Sequence, residues 1–192
     1  MTTVAAIQGD DFVVVAFDSM VSDDDSKIFT LPRSMPKVVR KKNCLLGAAG
    51  DLRAVNLLST FTLPVPGAGV QGRDLDLWVG RTFVPELKML FQDAGYEKDN
   101  THGSTIIIAV NYTIYEIGSD YEWLRDARGI YSIGTGGNFA IAHLAMAGPD
   151  ITKDFSLARE TAVEAVELAA ELDLRTGRPV YVETLKKRSR RN

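Results

Sequence analysis

The sequence predicts an α+β fold in which two β-sheets lie face to face and helices cover both outer faces, a four-layer αββα sandwich. Three observations carry this expectation. Strand-like runs alternate along the chain with pairs of helix-like runs, and a final strand-like run closes it. The run Ser104 to Val110 is apolar throughout, as a strand covered on both faces requires. The 192 residues are 45% hydrophobic and hold no internal repeat or dividing linker, so a single domain over 1–192 can bury a substantial core.

Two β-rich runs, Thr3 to Ile7 and Phe12 to Phe17, flank a polar turn containing Gly9 and predict a hairpin. With a loop centred on Gly9 and Asp10, paired residue numbers sum to about 19 or 20. That places Asp18 within one residue of Thr2, at the end away from the turn. Val21 to Pro36 reads as polar and irregular, with a solvated acidic run at Asp23-Asp24-Asp25. A second hairpin is predicted from Pro36 to Gly47 around the basic turn Arg40-Lys41-Lys42-Asn43. It sets Lys37 at the open end, near Gly47 to Gly50.

Helices are predicted over Asp51 to Phe61, on Leu52, Val55, Leu58 and Ser59, and between about Asp74 and Ala94. The stripe of the longer one is Leu77, Val84, Leu87, Leu90 and Phe91, with a kink expected at Pro85. Strands follow at Ser104 to Val110 and Thr113 to Ile117, then a short one at Tyr131 to Ile133. Gly134-Thr135-Gly136-Gly137 leads into a small-residue helix over Phe139 to Ala147. Phe155 to Leu172 is the clearest helix, broken by Arg175-Thr176-Gly177-Arg178. Pro179 to Leu185 closes as a strand, and 186–192 reads as a mobile basic tail.

Composition excludes several classes. A net charge of −3 gives no reason to expect nucleic acid as a partner. The single cysteine, Cys44, lies in an apolar run and reads as a small buried hydrophobe, and one cysteine makes no intramolecular disulfide. His102 and His143 are too few and too far apart to suggest a metal site. No run approaches a membrane span and no leader pattern precedes Thr2, so a cytoplasmic protein without membrane association is expected.

The hairpin suggests chemistry. A methionine before a small residue is normally removed, which would leave Thr2 with a free α-amine and a hydroxyl on one residue and a carboxylate near by. A hydroxyl needs a base to become a nucleophile, and an α-amine, with an unperturbed pKa of roughly 7.7–8.0, is a suitable one. An ordinary N-terminal strand ending at a solvated Asp is the plainer alternative.

Five stretches carry a resemblance: Thr2-Thr3-Val4 with Ala16-Phe17-Asp18-Ser19; Lys37-Val38; Ala49-Gly50-Asp51; Gly134-Thr135-Gly136-Gly137; and Asp173-Leu174-Arg175-Thr176-Gly177. On these the chain resembles a β-type subunit of the proteasome family, including the bacterial HslV type, within the N-terminal nucleophile (Ntn) hydrolases. The match spans nearly the whole chain in the family's order. The Met-Thr-Thr start is similar to the HslV type. The Asp-x-x-Thr-Gly stretch is similar to archaeal and actinobacterial proteasomes, and a divergent bacterial or phage relative is a further alternative.

The resemblance implies a role for each matched residue. Thr2 would be the nucleophile, Lys37 the ammonium that favours the charged intermediate, and Asp18 its partner. A surface salt bridge of little worth is the plainer reading of that pair. Gly50 would supply the oxyanion N–H. Thr135, at a position usually held by serine, would join Asp173 and Thr176 around the terminal amine. An N-cap at Thr135 and a left-handed helix cap at Gly177 are the structural alternatives.

Main-chain oxygens of Ala170, Asp173 and Thr176 match positions that bind a monovalent or divalent cation, suited to Na⁺ or Mg²⁺; no cofactor is otherwise required. Val21, Met35, Ala48 and Leu52 would line the specificity pocket and imply cleavage after hydrophobic residues. Met20 stands where an arginine commonly follows the Asp-Ser pair.

The function implied is a threonine-type endopeptidase in a self-compartmentalising protease. Homo-oligomeric stacked rings, hexameric or heptameric, would degrade unfolded proteins delivered by an AAA+ ATPase unfoldase ring. A non-catalytic ring or scaffold subunit and a small-molecule amidase are the alternatives.

Overall fold

The computed structural model describes residues 2–22, 28–63 and 65–187. Chain order runs β1 (Thr3–Gln8), β2 (Phe12–Phe17), β3 (Met20–Ser22), β4 (Ile28–Thr30), β5 (Val38–Lys41), β6 (Cys44–Gly50) and α1 (Leu52–Thr60). Then follow α2 (Gly72–Trp78), a π-helical segment Val79–Phe83, α3 (Val84–Asp93), β7 (Ser104–Val110), β8 (Thr113–Ile117), β9 (Trp123–Leu124) and β10 (Ile130–Gly134). The chain ends on α4 (Gly137–Met146), a 3₁₀ turn at Pro149–Thr152, α5 (Phe155–Leu172) and β11 (Tyr181–Lys186).

The strands form a four-stranded sheet in the order β10-β1-β2-β11, a five-stranded sheet in the order β5-β6-β7-β8-β9, and the separate hairpin β3-β4. Three apolar layers hold the stack together. Val4, Ala6, Val13, Val15 and Phe17 meet Leu45, Ile107, Ala109 and Ile114 between the two sheets. Ala5, Ile7, Val14 and Ala16, on the opposite faces of the same strands, pack on Ala140, Leu144, Ala158, Ala162 and Val166 of α4 and α5. Leu46, Ile106, Ile108 and Tyr115 pack on Val55, Leu58, Leu75, Phe83, Leu87 and Phe91 of the helices over the other sheet. β1 and β2 are therefore apolar at nearly every position because both of their faces are covered. The four-layer αββα architecture is the one expected.

Several local expectations shift. Val21 to Pro36 is not wholly irregular: Met20–Ser22 pairs with Ile28–Thr30. Ile28 and Phe29 stay exposed, so no buried face announces the strand in sequence. The acidic run Asp23-Asp24-Asp25 lies outside the described residues. In the long helical region the buried stripe is Leu75, Val79, Phe83, Leu87 and Phe91, while Leu77 is exposed and Val84 and Leu90 are half-buried. A spacing of four drifts around an α-helix, and the wider π turns at Val79–Phe83 slow that drift. Pro85 lies inside a helical run unbroken from Gly72 to Asp93, directly after the π turns at Val79–Phe83. The basic tail begins later than expected, since Lys186 ends β11 and the Lys187 N–H donates to the Asp11 carbonyl at 2.9 Å. Residues 188–192 lie outside the described residues.

Among the described residues no helix is long and apolar enough to cross a membrane. Cys44 is buried, and burial pushes its thiol up to about 12, which leaves it unreactive.

Candidate active site

The first hairpin closes one step later than its sequence suggests. The Gly9 N–H donates to the Phe12 carbonyl at 2.9 Å around a corner at Asp10-Asp11, and Val4 pairs with Phe17. Paired numbers thus sum to 21. Asp18 sits against Thr3, the residue next to Thr2: Thr3 N–H donates to Asp18 Oδ1 at 2.9 Å, and Asp18 N–H donates to the Thr3 carbonyl at 3.2 Å. The expected proximity of Asp18 to the chain start survives the shift.

In the second hairpin Val38 pairs with Gly47 and Lys41 with Cys44, so Lys37 stands at its open end. Lys37 is 1% exposed and Asp18 is 0% exposed. Lys37 Nζ lies 2.7 Å from Asp18 Oδ1 and also donates to the Met20 carbonyl. Asp18 Oδ2 accepts the N–H groups of Met20 and Gly177, both at 3.1 Å. A carboxylate with three N–H donors and an ammonium is held in one orientation. Burial pulls the Lys37 pKa below its ordinary value, and Asp18, by charge and hydrogen bond, opposes that pull. The pair is buried rather than a surface salt bridge.

A second cluster gathers around the last loop. Asp173 Oδ2 accepts the hydroxyls of Thr135 at 2.6 Å and Thr176 at 2.7 Å, while Oδ1 accepts the Arg175 N–H at 3.2 Å. Burial pushes this carboxyl up, and the two hydroxyls, the N–H and the Arg175 charge outweigh it, so its pKa falls below the ordinary value. Thr176 Oγ1 also lies 2.6 Å from Thr3 Oγ1. The hydroxyl of Thr3 is a contact that sequence reading missed. Nothing in the Thr2-Thr3 repeat says which hydroxyl turns toward Thr176.

Thr135 sits just before α4, but it is Gly136 that caps the helix and no side chain accepts there. The Thr135 N–H donates instead to the Thr2 carbonyl at 3.1 Å. Gly134, at φ +98°, admits that carbonyl: a Cβ here would fall 1.7 Å from it. Helix α5 ends at Leu172 with an extended Asp173, so Gly177 is not its left-handed cap. Gly177 lies beyond, where its N–H reaches Asp18 and its carbonyl accepts the Ser19 N–H at 3.2 Å.

Thr2, Ala49, Gly50, Gly134 and Thr135 line a cleft of about 770 Å³, continued by Tyr96, Lys98, His102 and Ser104. The proposed pocket residues divide. Met35 and Leu52 line a separate depression of about 130 Å³ with Leu31, Pro36, Val39 and Val55. Ala48 is buried in the cluster that contains Val39 and Val55. Val21 is half-buried on β3 opposite Phe29 and lines neither hollow. Of the three carbonyls offered to a cation, that of Asp173 already accepts the Thr176 N–H at 3.1 Å. Among the described residues no His, Cys, Asp and Glu cluster could hold a metal ion, so any cation there would rest on main-chain oxygens.

Solved structures match this architecture over nearly its whole length. BPH of Thiobacillus denitrificans, in complex with epoxomicin, aligns at a TM-score of 0.74 with 18% identity, over 96% of this chain and 98% of that one. BPH of the same organism in a second structure gives 0.72 with 18% identity, over 96% and 97%. Eukaryotic HslV from Trypanosoma brucei gives 0.65 with 22% identity, over 96% and 99%. This chain has the proteasome/HslV Ntn-hydrolase fold. No protein-family model and no curated protein matches the sequence. At such identity the proteasome/HslV fold is shared through the two sheets and their helices, and the site must be argued from its own residues.

Proposed function

We propose that this chain is an N-terminal threonine peptidase. One observation carries the reading: a fully buried Asp18–Lys37 pair is hydrogen-bonded to the backbone of Thr3, on a strand whose preceding residue, Thr2, opens onto the large cleft. Burying an ion pair costs desolvation that a well-packed apolar pair would avoid, so such a pair beside a potential nucleophile fits chemistry better than stability.

In the proposed reaction the Thr2 hydroxyl adds to the scissile carbonyl and its own freed α-amine takes the proton. The Gly50 N–H receives the oxyanion, and the Lys37 ammonium favours the negative charge. Collapse breaks the C–N bond as the amine returns the proton to the leaving group, and water then releases the acyl chain from the hydroxyl. Asp173, Thr135 and Thr176 orient the amine. The apolar side chains of Met35 and Leu52 favour cleavage after hydrophobic residues, although the depression they share is separate from the Thr2 cleft and is lined also by Ser34, Asn56 and Ser59.

Assembly is proposed on the same footing. The exposed apolar side chains Phe139 and Met146 on α4 and Leu157 and Leu172 on α5 support docking of further copies into stacked rings, fed by an ATPase ring. A Na⁺ or Mg²⁺ ion on the Ala170, Asp173 and Thr176 carbonyls would brace the last loop.

Intact-mass measurement tests the reading. The purified protein is expected to lack Met1 and to gain one epoxomicin, whose ketone and epoxide match a hydroxyl and an amine on one residue. Fluorogenic peptides ending in leucine or tyrosine should be cleaved ahead of those ending in arginine or glutamate. A retained Met1 with no adduct and no turnover would overturn the peptidase in favour of a non-catalytic ring subunit.

A further inference from the structure

One wall of the Thr2 cleft, formed by Tyr96 and Ser104, lies apart from both carboxylate clusters. Ser104 opens β7 directly opposite Gly50, the last residue of β6. Its Oγ accepts the Asp51 N–H at 3.2 Å and shares a hydrogen bond of 2.8 Å with the Tyr96 hydroxyl. Tyr96 is itself fixed, its ring edge-on to Phe91 at 4.9 Å and the Arg53 guanidinium 5.8 Å from the ring centre. Both Ser104 and Tyr96 are buried, yet Gly50 and Asp51 are exposed.

The corner they brace is unusual. Gly50 stands at φ +122°, and a Cβ there would lie 2.3 Å from the Gly103 carbonyl. Immediately after it, Asp51 caps α1 by accepting the Arg53 N–H at 2.8 Å. An exposed glycine at a strand-to-helix corner has wide freedom in φ and ψ. A hydrogen-bond donor stabilises a developing oxyanion only if it already points where the charge will form. Strand pairing ends at Gly50 itself, and the helix cap holds the chain from Asp51 onward. Gly50 is thus the one free joint between them, and its far side is held by the Asp51 N–H on Ser104 Oγ.

We infer that Ser104, oriented by the Tyr96 hydroxyl, is a positioning residue: by holding the Asp51 N–H it pins the peptide that follows Gly50, and so limits how far Gly50 and the N–H it carries in the preceding peptide can swing away from the oxyanion. This rests on the peptidase reading above for its chemical meaning, though not for its geometry. Ser104 touches no reacting atom; it acts through Asp51 and Gly50.

The test uses the full-length assembled protein with Ser104→Ala and with Tyr96→Phe, which keeps the ring packing. With a fluorogenic peptide, Ser104→Ala should lower kcat by about tenfold or more while KM stays within about twofold, since a misaimed donor weakens the transition state and not the ground state. Tyr96→Phe should show the same pattern with a smaller fall. Affinity for a peptide boronate, which forms a tetrahedral adduct with the hydroxyl, should drop in step with kcat. Affinity for a non-covalent peptide competitor should hold. In parallel, hydrogen exchange at the Asp51 amide should quicken by about tenfold or more in Ser104→Ala. Unchanged kcat and boronate affinity, or equal losses in boronate and competitor binding, would overturn the role. Should the wild-type protein show neither turnover nor adduct, the peptidase reading fails instead, and Asp51 exchange alone then decides the positioning: an unchanged rate refutes it.

Discussion

Two clusters flank the start of the chain, and they are built on different physics. The Asp18–Lys37 pair is sealed from solvent, and its carboxylate is saturated by three backbone N–H groups as well as the ammonium. The Asp173 cluster lies nearer the surface and gathers hydroxyls around one carboxylate. Without the low dielectric of the interior, each of its bonds is worth less. The first cluster should therefore decide whether the site exists at all, and the second how well it performs.

Removing Asp18 should do the greatest damage. Asp18→Ala leaves Lys37 buried without its carboxylate and three N–H groups without an acceptor, so denaturant unfolding should show a loss of about 3–5 kcal/mol along with all turnover. Lys37→Met should abolish turnover equally but cost less stability, about 1.5–3 kcal/mol, because the carboxylate keeps its three backbone donors. If the two substitutions destabilise equally, the backbone donors count for less than the geometry indicates.

Asp173→Asn should be milder again. An amide oxygen in the place of Oδ2 can still accept both hydroxyls, and only the Arg175 N–H loses its acceptor, so unfolding should shift by less than about 1.5 kcal/mol. With the role proposed for this carboxylate at the terminal amine, kcat should fall with KM unchanged. A stability loss as large as that of Asp18→Ala would erase the contrast between the clusters.

The gentlest probe is pH. The ammonium of Lys37 is lost as pH rises through its lowered pKa, so the alkaline limb of kcat/KM should fall below pH 10.5. Across the window between that pKa and 10.5 the unfolded chain binds the extra proton, so this group's contribution to folding stability rises with pH. Activity and the Lys37 contribution to stability should thus move in opposite directions, and the stability slope should vanish in Lys37→Met. An alkaline limb beyond 10.5 would remove Lys37 from the reaction.

Much of this was legible in the residues. Strand periodicity, the apolar run at Ser104 to Val110 and the Ala-rich pattern of Phe155–Leu172 gave the layers, because each is a local signal of what a segment must bury. The five stretches gave Thr2, Asp18, Lys37, Gly50, Thr135, Asp173 and Thr176, and the fold brings them to one end of the sandwich in two clusters and a cleft. The pocket was read less well. Met35 and Leu52 share a hollow, whereas Val21 is drawn away by pairing with Phe29, a partner that no periodicity points to. The stripe on α2 and α3 was misplaced because π turns change the period on which such counting depends.

The sequence by itself determined most of the strands and helices, β3, β4 and β9 excepted, and which side chains could do chemistry, since those follow from short-range pattern and residue type. Only the tertiary structure decided that Asp18 faces Thr3 across a hairpin closing at Asp10-Asp11, that the Thr3 hydroxyl meets that of Thr176, and that Ser104 and Tyr96 brace the Gly50 corner. These contacts join residues far apart in the chain. Their geometry is set by strand register and layer packing, which no single segment encodes.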